Sequence, residues 1–212
     1  MYAAQYVYKT VQTTTTPEMA YGTLVHRQFE DYVKKGTPLP RDLLKHKQYI
    51  DTQLAPPSAP HTGYRVETER KAGLNRFMEP VGFFDKDVWY RLIIDAARYH
   101  VANDGVVSAK LLDYKTGKVR NDKRQLRLSA LYSFAEGAQV VDTRYYWLQT
   151  MTETRSVYTI DQQASLWNEF VPDLHNYAQA YKTDTWTAKP SGLCEGWCPV
   201  TDCQFWRPKR KR

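Results

Sequence analysis

No stretch of this chain approaches the roughly 18 consecutive apolar residues of a membrane-spanning helix, so no helical span is expected. The first residues, Met1-Tyr2-Ala3-Ala4-Gln5, lack the basic-then-apolar pattern of a secretory signal. The expectation is a soluble, unexported protein without a membrane partner. Cysteine is scarce: Cys194, Cys198 and Cys203 are the full set, all within ten residues. An odd, clustered set excludes a disulfide framework and reads as a metal knuckle, or its remnant, in a reducing compartment. Acidic residues are also in deficit. Lysine and arginine number 30 against 23 aspartates and glutamates, a net charge of +7. A cationic excess favours a polyanionic partner, usually nucleic acid. Part of it sits in the tail Arg207-Pro208-Lys209-Arg210-Lys211-Arg212, so charge alone does not assign a DNA partner.

What is present suits one domain over residues 1–212, with a cysteine-containing segment 190–206 and a basic tail 207–212; 212 residues can bury a sizeable core. No internal repeat is visible. Thr13 to Thr16 reads as a polar loop before Pro17. A helical pattern starts at Glu18, carries Tyr21, Leu24, Val25, Gln28, Phe29 and Tyr32 near one side, and stops at Lys35-Gly36. Prolines 56, 57 and 60 mark a loop. Arg65 to Arg70 alternates like a strand. Val88 to Asp95 is rich in β-branched and aromatic residues and predicts a strand, with a second short one at Ala97 to Val101. Asn103-Asp104-Gly105 is a turn, across which Val106 to Lys115 pairs antiparallel. A helix is expected from about Asp122 to Gly137, strands at Asp142 to Gln149 and Thr154 to Ile160, and a last helix capped by Asp161, with Pro172 bending or restarting it. The order predicts an α/β fold with a central mixed sheet flanked by helices.

Asp113 and Lys115 stand two apart on a predicted strand, and period-two geometry points both to one face. Leu111 and Leu112 precede them, so the pair sits at the end of a buried strand, where charges need partners. A divalent cation is one partner. Carboxylate oxygen is the hard ligand magnesium prefers, and an adjacent lysine can orient a water or stabilise charge building on a phosphate. Taken alone, Asp-x-Lys is equally a solvated strand end before a Thr-Gly turn. Its surroundings favour chemistry. Asp95 places a second carboxylate at a strand end. His26 lies on the first helix after Gly22, a residue that costs roughly 1 kcal/mol against alanine there and that suits close backbone approach. Gln125, Ser129 and Tyr132 share one helix face by i, i+4, i+7 spacing. Arg124 and Arg127 on that helix offer phosphate contacts, as do Lys118, Arg120 and Lys123 just before it. Glu67 and Glu69 are candidates for a further acid, although a solvent-facing edge explains them better. His46, His61, His100 and His175 have no supporting pattern.

The ordered set Gly22-Thr23-Leu24-Val25-His26, Asp95, Leu111-Leu112-Asp113-Tyr114-Lys115-Thr116-Gly117-Lys118 and Gln125-Leu126 resembles the RecB-like branch of the PD-(D/E)XK nucleases, which includes CRISPR-associated and phage recombination exonucleases. The resemblance runs from about His26 to Cys203. It implies a restriction-endonuclease-like core and Mg2+ as cofactor, with Mn2+ able to substitute. His26, Asp95, Asp113 and the Tyr114 carbonyl would be metal ligands, Lys115 the catalytic lysine, and Gln125 and Tyr132 would order that lysine or DNA. Three departures stand out. Arg91 occupies a position before the first aspartate where relatives often carry glycine. Ser129 stands where the helix often has tyrosine. The C-terminal cysteines have no N-terminal fourth, so one chain cannot supply a four-thiolate iron–sulfur cluster. Zinc with a histidine as fourth ligand stays open, and the adopted reading is a metal-free remnant.

The expected function is therefore a nonspecific, metal-dependent deoxyribonuclease, with an exonuclease preference taken from the resemblance. It would act on double-stranded ends or single strands in recombination, repair or degradation, in the cytoplasm, or the host cytoplasm if phage-encoded. Assembly into a homo-oligomer is compatible with it. The rival reading is a nuclease-fold module that binds DNA or protein, and a third is RNA as substrate.

Overall fold

The computed structural model describes residues 3–12 and 15–208. Thr13 and Thr14 of the expected polar loop and residues 209–212 of the basic tail lie outside these. The chain divides into two compact units, one of residues 20–169 and one joining the stretch up to Met19 with that from Phe170 onward.

The larger unit holds a six-stranded sheet. Its strands are β1 (His61–Asn75), β2 (Pro80–Val81), β3 (Val88–Ala102), β4 (Val107–Lys115), β5 (Val140–Trp147) and β6 (Thr152–Thr159), in the order β2-β1-β3-β4-β5-β6. Every neighbouring pair is antiparallel except β4 and β5, which are parallel. A parallel pair needs a crossover, and α3 (Arg124–Ala135) supplies it. Asp122 accepts the Arg124 N–H at its start, and Gly137 takes φ +94° just past its end, where glycine is favoured. The result is an α/β fold with a mixed sheet flanked by helices.

The two sheet faces carry different cores. Leu112 and Tyr114 of β4 and Tyr146 of β5 pack with Val25 and Phe29 of α1 (Pro17–Lys35) and with Ile50 and Leu54 of α2 (Lys47–Leu54). Alternate residues Tyr145 and Trp147 pack with Leu126 of α3. His46 is buried among the first set, its Nδ1 3.0 Å from the Tyr146 hydroxyl. Burial holds its pKa below the ordinary histidine value. It is a packing residue.

Several expectations change. Val88 to Val101 is one strand, not two, so Asp95 is not at a strand end but within β3. The strand sensed at Arg65 to Arg70 extends over fifteen residues of β1, and α2 carried no expectation at all. Asp161 does not cap the last helix, α4 (Gln163–Thr183). Instead Thr159 and Gln162 form a reciprocal cap around a 3-10 turn at Ile160–Gln162, and α4 follows directly and contains Pro172. Asp161 lies two residues past the capping position, already inside that turn. No helix among the described residues is long and apolar enough to cross a membrane.

In the smaller unit Tyr8 donates to Asp184, and Trp186 Nε1 donates to the same carboxylate oxygen at 3.2 Å. The three cysteines are free thiols. Their segment is tied by an isolated parallel β-bridge between the backbones of Glu195 and Arg207 and by Trp206 Nε1 donating to the Cys198 carbonyl at 3.1 Å.

Candidate metal centre and active site

Asp95 sits where the ladder is interrupted. The β3–β4 pairing ends at Ala96 opposite Leu112, and the β1–β3 pairing passes from Thr68–Ala96 to Arg70–Ile94, leaving out Glu69 and Asp95. The freed backbone donor of Tyr114 is taken by the Asp95 side chain, whose Oδ2 accepts that N–H at 2.7 Å. A buried N–H needs a partner, and here a carboxylate replaces a backbone rung. The interruption leaves the neighbouring Tyr114 carbonyl to a side chain as well: His26 Nε2 donates to it at 2.9 Å.

The other imidazole nitrogen of His26 faces two acids, Asp95 Oδ1 at 3.3 Å and Glu69 Oε1 at 3.7 Å. Burial opposes a charged imidazole, but the charge-assisted contacts it donates to Asp95 and Glu69 outweigh it and raise the His26 pKa to about 10. Ligand atoms of His26, Glu69 and Asp95 all lie within 4.8 Å of one another, and no other His/Cys/Asp/Glu group among the described residues could share an ion this way. Two carboxylates and a nearby carbonyl make a hard, anionic oxygen donor set that fits a divalent cation such as Mg2+ or Mn2+, and His26 would join it through Nδ1 once the cation displaces that proton. A cleft of about 470 Å³, lined by Gly22, Thr23, His26, Glu30 and Glu69 among others, opens beside it.

Asp113 and Lys115 share the α3-facing side of β4. Lys115 Nζ lies 2.6 Å from Asp113 Oδ2 and donates to Gln125 Oε1 at 2.8 Å, and Gln125 Nε2 donates to Asp113 Oδ1. The ammonium also stands 4.9 Å from the Tyr145 ring centroid. Burial, followed by the negative charge of Asp95, pushes the Asp113 carboxyl well above the usual carboxylate range, while Lys115 pulls it down. A small buried space bounded by Asp95, Asp113, Leu126 and Ser129 joins the two acids.

The structure therefore brings together His26, Asp95, the Tyr114 carbonyl, Asp113, Lys115 and Gln125. Tyr132 is not brought to this group. Its hydroxyl donates to Glu136 at 2.7 Å and accepts from Arg70 at 3.0 Å. Ser129 donates to the backbone carbonyl of Gln125 and not to a site side chain. Of the expected phosphate-contacting residues, Lys118 and Arg120 are exposed on the loop after Lys115, and Arg124 is exposed at the start of α3. Lys123 reaches the Arg155 carbonyl at 3.4 Å, and Arg127 is ion-paired to Glu169 at 3.1 Å, which turns it from solvent. Gly22 allows approach not to backbone but to the Thr116 hydroxyl, 3.4 Å from where a Cβ would lie.

Of the two acids weighed as further candidates, Glu69 joins the site, against the preferred reading of a solvent-facing edge. The sequence shows it alternating along a strand, which hides its backbone: φ is +47°, a left-handed conformation in the middle of β1. No local signal marks that, since glutamate has no preference for it. Neither the known protein-family models nor the curated proteins include a match to this chain.

Proposed function

We propose that the chain is a metal-dependent deoxyribonuclease on a restriction-endonuclease-like core. The observation that supports it most is the convergence of Asp95, with His26 and Glu69, and the Asp113–Lys115–Gln125 group at one interruption of the sheet. A solvated strand end would not gather three acids, an imidazole and a lysine against burial. A divalent cation held by Asp95, Asp113, Glu69, His26 and the Tyr114 carbonyl would supply Lewis acidity toward a phosphate oxygen. The chain's own groups do the rest. Lys115 orients a water toward phosphorus and stabilises the negative charge that builds on the phosphate oxygens. Gln125 fixes the lysine by holding Lys115 and Asp113 at once. Lys118 and Arg120 follow the phosphate backbone without reading bases, so no sequence preference arises.

The test is cleavage of linear and circular DNA, with and without magnesium, by the wild type, Asp113→Ala and Lys115→Ala. The expected result is magnesium-dependent loss of the linear form, reduced at least about 100-fold in either variant. Equal cleavage by the variants, or cleavage in chelator, would sink the assignment. Degradation of circles as well would replace an exonuclease by an endonuclease.

A further inference from the structure

The β1–β3 ladder runs on past the candidate centre. Strand β3 pairs with β4 only from Ala96 onward, whereas Val88 to Ile94 pair with β1 alone. At about 3.3 Å per residue, the segment from Val88 to Asp95 reaches roughly 25 Å beyond the last β3–β4 rung. The arm is built to be firm. Gly73 lies between β2 and β3, and a Cβ there would stand 2.7 Å from Val88 Cγ2, so only glycine lets the three segments close. Leu74 and Ala72 beside it are buried.

The end of this arm is aromatic and open. Phe77 is 67% exposed, Phe84 78% and Trp89 46%. Cations lie against phenylalanines three times: Arg76 over Phe77 at 4.7 Å, Arg91 over Phe83 at 5.6 Å and Lys71 over Phe84 at 5.8 Å. Scattered exposed apolar residues are ordinary. Exposed rings interleaved with cations on one projecting element are not, and they are the combination that single-stranded nucleic acid uses: bases stack on rings while phosphates meet the positive charge. The net charge of +7 favours a polyanionic occupant over a protein surface for this patch.

We propose that this arm is a binding site for unpaired nucleic acid, with Phe77 and Phe84 as stacking surfaces and Lys71, Arg76 and Arg91 as phosphate contacts. It holds the strand whose scissile phosphate reaches the Asp95–Asp113 centre, and in that respect it rests on the hydrolytic reading above. The arm's reach corresponds to several base steps, at about 3.4 Å per step for a stacked strand.

The experiment measures binding of a fluorescein-labelled oligothymidylate and of a blunt duplex by anisotropy, with calcium in place of magnesium, for the wild type and the Phe77→Ala/Phe84→Ala double variant. Cleavage of the same oligothymidylate in magnesium and sedimentation of both proteins run in parallel. The expected result is about tenfold or greater weakening toward the single strand with little change toward the blunt duplex. Undiminished single-strand binding by the double variant overturns the proposal, as does equal weakening toward both probes. Absence of wild-type binding overturns it too, and a wild-type dimer that the variant loses assigns the rings to a second copy instead. The two readings separate cleanly. Phenylalanine-dependent binding without cleavage keeps the arm and removes the hydrolysis, whereas cleavage with phenylalanine-independent binding does the reverse.

Discussion

At Glu69 a glutamate holds left-handed backbone, φ +47°, beside a rung that neither it nor Asp95 completes. That conformation costs a non-glycine residue about 1–2 kcal/mol. The return is a carboxylate within reach of His26 and Asp95. Glu69→Gly should therefore act in opposite directions on two quantities. Thermal or urea unfolding in chelator should show a gain of about 0.5–1 kcal/mol, the relief of strain less the extra unfolded-state entropy of glycine. Affinity for manganese should fall about tenfold, as expected for loss of a carboxylate ligand. A loss of both stability and affinity would mean that the Glu69–His26 ion pair outweighs the backbone strain. Asp113, Lys115 and Gln125 were legible in the sequence because each follows from a short repeat, two along a strand or a helix start close behind it. Glu69 was legible only as one of two alternating acids and read better as a solvent-facing edge, because its place depends on an interruption set by three strands. Tyr132 misled for a different reason. Seven residues along a helix return to the same face but also advance about 10 Å, so Gln125 and Tyr132 share a side without sharing a partner.

Between elements, Arg70 ties β1 to α3. Its guanidinium bonds Glu67 at 2.9 Å, the Tyr132 hydroxyl at 3.0 Å and Glu136 at 2.6 Å, in a half-buried setting. Removing the cation leaves two acids close together. Arg70→Met should lower stability by about 2–3 kcal/mol, below the full cost of breaking a buried pair because the groups are partly solvated. Urea unfolding checks this, and a change under about 0.5 kcal/mol would show the network to be dispensable. On the opposite face Lys110 donates to Gln53 at 3.0 Å. Burial, then the charges of Arg98 and Arg144, bring its pKa from 10.5 down to about 8. The folded chain thus releases this proton near pH 8, while the unfolded chain keeps it to about 10.5. Across that window the unfolded state binds more protons, so this group's contribution to stability rises with pH, is complete above 10.5 and is lost as pH falls through 8. Comparing unfolding midpoints of the wild type and Lys110→Gln at pH 7 and at pH 10 should show the wild type gaining on the variant at the higher pH. A gap that does not move would remove the shift.

For the whole molecule, the central sheet was readable where strands are rich in β-branched and aromatic residues and are bounded by turn signals. Asn103-Asp104-Gly105 does turn β3 into β4, with Gly105 at φ +85°. The full length of β1 was hidden because its first half is polar and half-exposed, so alternation is weak there. The eight residues of α2 offered too short a period to recognise. The paired acids and lysine were visible one by one, but their convergence depends on the β3 interruption, which no local pattern encodes. That convergence is the central claim, and calorimetric titration with manganese tests it most directly. The wild type should bind an ion, and Asp95→Asn, which keeps an acceptor for the Tyr114 N–H, should lose at least about tenfold in affinity. No binding by the wild type, or equal binding by Asp95→Asn, would contradict the account.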